Sequence, residues 1–452
     1  MSTAFAIPRA DHEWAWYPEL LGTPVPRYTS YPTAAEFTDG FDGEALGSAL
    51  DRVTADAPVS LYLHIPYCHE ICWYCGCNTG AANRTGRLDG YLKSLRDEIA
   101  LAGARLGGRG RVRRVAFGGG SPNAIAPAQF DELIDAVARH FTLDDPVLSV
   151  EIDPRGFDAD WADALGRNRV SRASLGVQTL VPRIQAAIGR VQPVETVHGV
   201  MQLLRDAGLD SINFDLMYGL PGQTNDDLIE TLDTALAMHP DRLAIFGYAH
   251  VPHLIPRQRR IDATALPDAR MRFSQAGIAH AQLIGEGFVP VGFDHFAKPG
   301  DALARAAASG TLRRNFQGFT EDQADILIGL GASAISAFPD RLLQNEKNAG
   351  RYRARIDARA FAVNRGVLRD REDRVRGTLI EQLLTCGTAE IPATVDLLAE
   401  IERLKPFEAR RLVRLRGRTI DVPPHALPYA RTIAAIFDRH RKASATRFSA
   451  AV

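Results

Sequence analysis

Leu61-Tyr62-Leu63-His64-Ile65-Pro66-Tyr67-Cys68-His69-Glu70-Ile71-Cys72-Trp73-Tyr74-Cys75-Gly76-Cys77 is the stretch that decides how this chain folds. Its first part is a short apolar run of the kind that forms a buried strand. Its second part packs four cysteines, Cys68, Cys72, Cys75 and Cys77, into ten residues, and the fifth, Cys386, stands far from them. A disulfide scaffold spreads cysteines through a small secreted domain. Dense thiols in a chain of 452 residues favour metal or redox chemistry instead.

Working outward, β-branched apolar runs recur at Ser60–Ile65, Arg113–Phe117, Val147–Ile152, Arg172–Leu175, Ser211–Leu216 and Arg242–Phe246. Amphipathic segments lie between them, at Leu92–Leu106, Pro127–Phe141, Val194–Ala207 and Asp226–Met238. This alternation predicts a parallel sheet with right-handed crossovers. Six units are too few for a closed eight-fold barrel, so the expected fold is α/β, a partial (β/α)6 barrel. Chemistry in such barrels gathers at the C-terminal strand ends, and polar or glycine-rich groups fall there throughout. The cysteine loop follows strand one and Gly118-Gly119-Gly120-Ser121-Pro122 follows strand two. Glu151 and Asp153 end strand three, Gln178 follows strand four, Asp215 and Tyr218 lie on strand five, and Tyr248 and His250 follow strand six.

The expected layout is a lead-in over the active site (residues 1–45), the barrel with its extension (46–340) and a mostly helical C-terminal domain (341–452). In the last, Arg418–Pro423 and Pro428–Arg439 suggest a hairpin and helix of winged type. Lys plus Arg number 53 against 54 Asp plus Glu, a net charge of −1, which excludes nucleic-acid binding by bulk electrostatics. No run of about 18 uncharged apolar residues is present for a membrane span. Met1–Leu21, with Asp11, Glu13 and Glu19, lacks the basic start and apolar run of a secretory signal. The expected compartment is the cytoplasm.

Cys68-x-x-x-Cys72-x-x-Cys75 can hold three irons of a 4Fe-4S cluster and leave the fourth open to a cofactor's amine and carboxylate. An electron passed through such a cluster can cleave the S–C5′ bond of S-adenosylmethionine, giving a 5′-deoxyadenosyl radical. Two blander readings stand beside this one. A structural zinc site would use Cys77 as fourth ligand, although zinc modules usually pair two separated knuckles and only one loop is present. A four-cysteine electron-transfer cluster would need neither a glycine loop nor polar strand ends. Gly118-Gly119-Gly120 admits a ligand close to the backbone and exposes amides, suiting the cofactor's methionine end, though three glycines alone also make a plain tight turn. Glu151, Gln178, Arg190 and Asp215 are the polar groups expected to line the site, a carboxylate serving ribose hydroxyls and an arginine the cofactor carboxylate. Singly, each is more often a surface or capping residue.

With these residues identified, the chain resembles the oxygen-independent coproporphyrinogen III oxidases, a radical S-adenosylmethionine family of haem biosynthesis. The likeness rests on Pro26-Arg27-Tyr28-Thr29-Ser30-Tyr31-Pro32-Thr33, the cysteine loop with Cys77, and Phe117-Gly118-Gly119-Gly120-Ser121-Pro122. It continues through Asp215-Leu216-Met217-Tyr218-Gly219-Leu220-Pro221, Asp294-His295-Phe296-Ala297, Arg314-Asn315-Phe316-Gln317-Gly318 and Gly331-Ala332-Ser333-Ala334-Ile335-Ser336. The resemblance implies cluster ligation by Cys68, Cys72 and Cys75. It implies S-adenosylmethionine contacts at Tyr62, Tyr74, Gly118, Gly119, Gly120, Ser121, Glu151, Gln178, Arg190 and Asp215, with Tyr62 and Glu151 as catalytic candidates. A second cofactor molecule would meet Met217, Ala249 and Ile335.

The implied reaction is oxidative decarboxylation of two propionates of coproporphyrinogen III to the vinyls of protoporphyrinogen IX. It implies a flavodoxin- or ferredoxin-like electron donor and a further electron acceptor. Arg27, Lys298, Arg313 and Arg314 are the cations expected to meet the substrate carboxylates. A related haem chaperone or haem-modifying radical protein is the alternative. The chaperones lack the Arg27–Thr33 lead-in and the cysteine after the loop, both of which are present here.

Overall fold

The structure, a computed structural model, describes residues 14–82 and 85–441. The expectations resting on residues 1–13, Asp11 and Glu13 among them, lie outside the described residues. All six expected strands form: β1 (Pro58–Ile65), β2 (Arg111–Gly119), β3 (Leu143–Ile152), β4 (Arg172–Gln178), β5 (Ser211–Tyr218) and β6 (Arg242–Gly247). They pair in chain order, each parallel to the next.

The crossovers are α1 (Thr85–Leu106), α2 (Pro127–His140), α3 (Ala159–Arg167), α4 (Val194–Asp206) and α5 (Asn225–Leu236). Helix α1 starts earlier than its expected span because its apolar stripe does. Leu88, Tyr91, Leu92, Leu95, Ile99, Ala102 and Leu106 recur at three- and four-residue steps and are all buried. Helix starts are set by local chemistry. Asp158 accepts from the Trp161 amide at 3.0 Å, and Thr224 and Asp227 cap α5 reciprocally.

Outward-facing side chains of the strands join the helices in the main core. Inward-facing ones are largely polar. Ser149 and Glu151, Ser174, Asn213 and Asp215, and Arg242 line a cavity of about 340 Å³ inside the sheet. Near the N-terminal strand ends this cavity is plugged by Glu321, which pairs with Arg114 at 2.6 Å and also with Arg172.

The sheet extends well past the six strands, and among the described residues thirteen strands share it. On one side β7 (His295–Ala297) pairs antiparallel with β6. On the other, β8 (Ile326–Leu330) runs parallel to β1, followed by antiparallel β9 (Ile335–Phe338), β10 (Arg341–Asn345) and β11 (Val363–Leu368). The division expected at residue 340 therefore falls in the turn between β9 and β10, and the sheet reaches Leu368. Antiparallel neighbours need only a tight turn, and β8, β9 and β10 follow one another with no helix between them to mark the change; the helix Ala349–Asp357 comes only between β10 and β11.

Beyond β11 the chain is richer in helix, with α6 (Arg371–Thr385) and α7 (Leu398–Glu408). The expected hairpin is present as Arg414–Arg416 against Thr419–Asp421, joined by Thr388–Glu390. The expected helix Pro428–Arg439 is corrected: only Ala430–Ala434 is α-helical, between the 3-10 turns Pro424–Tyr429 and Ala435–Phe437. Pro424 and Pro428 supply no N–H, so the first part cannot close α-helical hydrogen bonds. The lead-in is tied to this region: Tyr28 donates to Asp438 at 3.0 Å, and the Arg439 amide donates to the Tyr31 hydroxyl at 3.0 Å. Among the described residues no helix is long and apolar enough to cross a membrane.

Candidate active site

Strand β1 delivers the cysteine loop to the mouth of the barrel. The loop closes on itself where the Gly80 amide donates to Pro66 O at 2.8 Å and Ala82 to Cys68 O at 2.9 Å. Its middle is pinned by Trp73 N to Ile188 O at 3.1 Å and by Gln258 Nε2 to Tyr74 O at 2.8 Å. Two guanidiniums approach the Cys72 sulfur, Arg155 Nη2 and Arg190 Nη1, each at 3.3 Å. Burial pushes the Cys68 thiol up to about 12, whereas hydrogen bonding from Cys77 brings Cys75 down to about 6.

Among the described residues no three Cys, His, Asp or Glu side chains are grouped to hold one metal ion. A cubane makes a different demand, since each thiolate takes its own iron and the sulfurs stand farther apart than ligands of a single ion. Cys386 takes no part: it ends α6, exposed, with its sulfur toward Gly310 O.

The neighbouring strand, β2, ends in the glycine run, and here crowding explains the sequence. A Cβ on Gly118 would meet Glu151 Oε1 at 2.6 Å, on Gly119 the His64 ring at 2.5 Å, and on Gly120 Tyr67 O at 2.5 Å. Gly119 also has φ +115°, a conformation that favours glycine. The amides are not open as expected. Gly119 donates to Glu151 Oε2 at 3.1 Å, Gly120 to Ile65 O at 2.9 Å and Ser121 to Tyr67 O at 2.8 Å. The missing side chains are what let Glu151, the His64 ring and the Tyr67 backbone close against this run. Ser121 Oγ is itself turned to Asn123.

Glu151 and Asp215 face the same cavity from β3 and β5. Burial pushes Glu151 up to about 7 against the lowering effect of the Gly119 amide, and Asp215 adds to the rise. Asp215 is also raised by burial, although Ser174 and Asn213 both donate to it at 2.8 Å. Tyr62 meets His64 Nδ1 at 3.1 Å, and His64 Nε2 meets Ser333 Oγ at 3.2 Å. Burial lowers His64 to about 4, so it is neutral at physiological pH and acts as one donor and one acceptor. Gln178 is buried and left-handed, φ 67°.

Arg190 is committed to Asp153, with both carboxylate oxygens at 3.1 Å, so a cofactor carboxylate would share this guanidinium rather than find it free. Its Nε atom is buried without a partner among the described residues. Met217 packs with Val181, Ile184, Leu220 and Tyr248, and Tyr74 rests against the same cluster. Gln258 joins this side by donating to Ala249 O at 3.0 Å. Ile335 stands on the opposite flank, where β9 begins after the turn beyond β8.

Sequence reasoning missed His64, Arg155 and Gln258 and gave Asp153 no partner. His64 was accessible from the two-residue strand period, which puts it on the face of Tyr62. Of the expected substrate cations, Lys298 is misplaced. It binds His239 O at 3.2 Å and Asp241 at 3.3 Å, before β6 begins and hence at the far end of the barrel. Arg313 pairs with Glu381 at 3.0 Å and Asp325 at 3.2 Å. Arg27 and Arg314 do stand by the mouth, with Arg27 Nη2 on Gly247 O at 2.9 Å and Arg314 Nε on Arg27 O at 3.2 Å.

A parallel-stranded partial barrel with a three-cysteine loop after its first strand and a glycine run after its second defines a radical S-adenosylmethionine enzyme. The sequence model of the radical SAM superfamily matches residues 62–235. The oxygen-independent coproporphyrinogen III oxidase of Bradyrhizobium diazoefficiens is 42% identical over 425 residues, covering 92% of this chain and 94% of its own. That of Paracoccus denitrificans is 39% identical, covering 96% and 98%. The solved coproporphyrinogen III oxidase of Escherichia coli, described as a radical SAM enzyme, superposes with TM-score 0.88 at 34% identity, covering 94% of this chain and 99% of that one. The chain belongs to the oxygen-independent coproporphyrinogen III oxidase family.

Proposed function

We propose that this enzyme converts coproporphyrinogen III to protoporphyrinogen IX without oxygen, by oxidative decarboxylation of two propionates. The observation that carries this reading is the juxtaposition of the Cys68–Cys75 loop and the Gly118–Gly120 run at the ends of neighbouring parallel strands, with half-buried Glu151 and Asp215 facing the cavity behind them. The donor set suits a 4Fe-4S cluster with S-adenosylmethionine: three thiols in one loop, two guanidiniums on Cys72, and a glycine run that lets Glu151 and His64 pack against the strand end beside the loop. When bound, these cofactors supply the strongly oxidising carbon radical that removal of an unactivated propionate hydrogen requires.

The chain's own residues do the rest. Cys68, Cys72 and Cys75 would hold the irons. Glu151, Gln178 and Asp215 orient the cofactor's polar groups, and Arg190, steadied by Asp153, attracts its carboxylate. Tyr62 keeps its proton, since burial raises its phenol, and with His64 it presents a neutral pair to the reacting region. Tyr74, Met217 and Ala249 on one flank and Ile335 on the other are the residues that would meet a second cofactor molecule. The barrel wall and the lead-in shield the site from water.

The electron donor fits a small flavodoxin- or ferredoxin-like protein. Free thiols and the lack of a membrane-crossing helix among the described residues fit a cytoplasmic setting.

The test is anaerobic reconstitution, reduction and addition of S-adenosylmethionine with coproporphyrinogen III, followed by mass analysis of the tetrapyrrole. Loss of two carbon dioxide units with release of 5′-deoxyadenosine is expected, and Cys72→Ala should abolish both. A tetrapyrrole returned unchanged from a protein with an intact cluster would overturn the substrate assignment and favour haem trafficking.

A further inference from the structure

A second, smaller cavity of about 60 Å³ lies just outside the barrel wall, where the lead-in, the strand ends and the C-terminal region meet. Arg27, Arg272 and Arg431 line it, and among the described lining residues Asp294 is the one carboxylate. Arg314 stands behind Phe293, whose ring carries the Arg314 guanidinium at 4.8 Å and that of Arg431 at 5.4 Å. Asp294 is already engaged by His295 Nδ1 at 2.7 Å. Arg272 Nε and Arg314 Nη1 are buried without a hydrogen-bond partner among the described residues. Buried guanidiniums normally have their donors satisfied, so this excess of positive charge is costly unless an anion joins it. Burial lowers Arg272, with Arg27 repelling it, and lowers Arg314 to about 10.

The cavity shares its wall with the barrel interior. Gly247 faces the arginines while Phe246 faces the barrel, and the same division holds for Asp294 and His295. Arg27 lies 5.2 Å over the Phe246 ring, and Arg314 lies 4.2 Å over Phe319, another barrel-lining ring. The space is too small for a tetrapyrrole ring but suits a short carboxylate arm.

We propose that this cavity is a carboxylate receptor that takes one propionate of the substrate, and that Arg272 is a positioning residue within it. This rests on the function proposed above. Because the wall of Phe246 and Gly247 separates the cavity from Glu151 and Asp215, the propionate it holds is one that leaves the reaction unchanged. Anchoring that arm turns another propionate of the same ring toward the barrel interior. A substrate with four chemically alike arms, two of which must survive, needs such an anchor.

The experiment titrates the anaerobically purified holoprotein with coproporphyrin III, the fluorescent oxidised form that keeps all four carboxylates. Arg272→Gln should weaken binding about tenfold or more, the usual loss for a charge-assisted contact. Arg272→Lys should retain much of it, and the tetramethyl ester should bind wild type no better than the acid binds Arg272→Gln. Removing one of several crowded cations should leave the thermal midpoint unchanged or higher, which a merely structural arginine would not do. In turnover, KM for coproporphyrinogen III should rise more than kcat falls. If Arg272→Gln binds coproporphyrin III as tightly as wild type, or loses affinity only with a lowered midpoint that Arg272→Lys does not rescue, the inference is overturned. If wild type itself does not bind coproporphyrin III, the proposed function falls with it.

Discussion

At the scale of single residues, the site is governed by what cannot be accommodated. Gly119 has both a positive φ and the His64 ring 2.5 Å from where a Cβ would be. Gly119→Ala should therefore cost about 1–3 kcal/mol of stability and lower cluster content, seen in denaturant titrations and iron analysis.

A second residue-scale effect belongs to Glu98, fully buried on α1. Its carboxylate accepts from Gly331 N at 2.6 Å, Tyr352 OH at 2.7 Å and Asn345 Nδ2 at 2.8 Å, bracing the turn that carries Ser333. Burial nevertheless raises it from 4.5 to about 7. In the unfolded chain this carboxyl ionises first, so stability should fall as pH rises from about 4.5 through about 7. The loss should be on the order of 3 kcal/mol. Glu98→Gln should flatten that slope in unfolding measured across the range, and an unchanged slope would reject the assignment.

At the scale of elements, the open barrel is closed from within by the segment after strand Gly318–Thr320. Glu321 there joins Arg114 on β2 to Arg172 on β4. Although burial opposes ionisation, these arginines and Arg242 hold Glu321 down at about 2. Its contribution is therefore complete above the unfolded value of 4.5 and is lost as pH falls through about 2. Glu321→Gln leaves buried guanidiniums uncompensated and should cost about 3 kcal/mol at neutral pH. The gap from wild type should narrow in acid, as urea unfolding at several pH values would show. These polar inner faces were foreseeable from the strand period. The plug was not, because Glu321 lies 149 positions from Arg172.

At the scale of the molecule, the cysteine loop is a small appendage on a large sheet. Removing the cluster by chelation should lower the melting midpoint, since a ligand bound only to the folded state stabilises it by mass action. It should expose Cys68–Asn78 to proteolysis and leave far-ultraviolet circular dichroism nearly unchanged. Loss of the sheet signal would mean that the fold depends on the cluster.

Six strands, most crossover helices, the cysteine loop and the glycine run were legible because each is written in neighbouring residues, as apolar period, capping chemistry or spacing. The sheet strands from Ile326 to Leu368 escaped notice because three of them follow one another through short turns, with one helix, Ala349–Asp357, before the last, and so do not repeat the strand–helix alternation. The same limit hid Arg155 beside Cys72, set Lys298 at the wrong end of the barrel and left Arg272 unconsidered. Local patterns specify which element a residue joins, since backbone geometry and solvation act over a few residues. Which charges meet, and which remain without a partner, is decided only when segments hundreds of residues apart pack together.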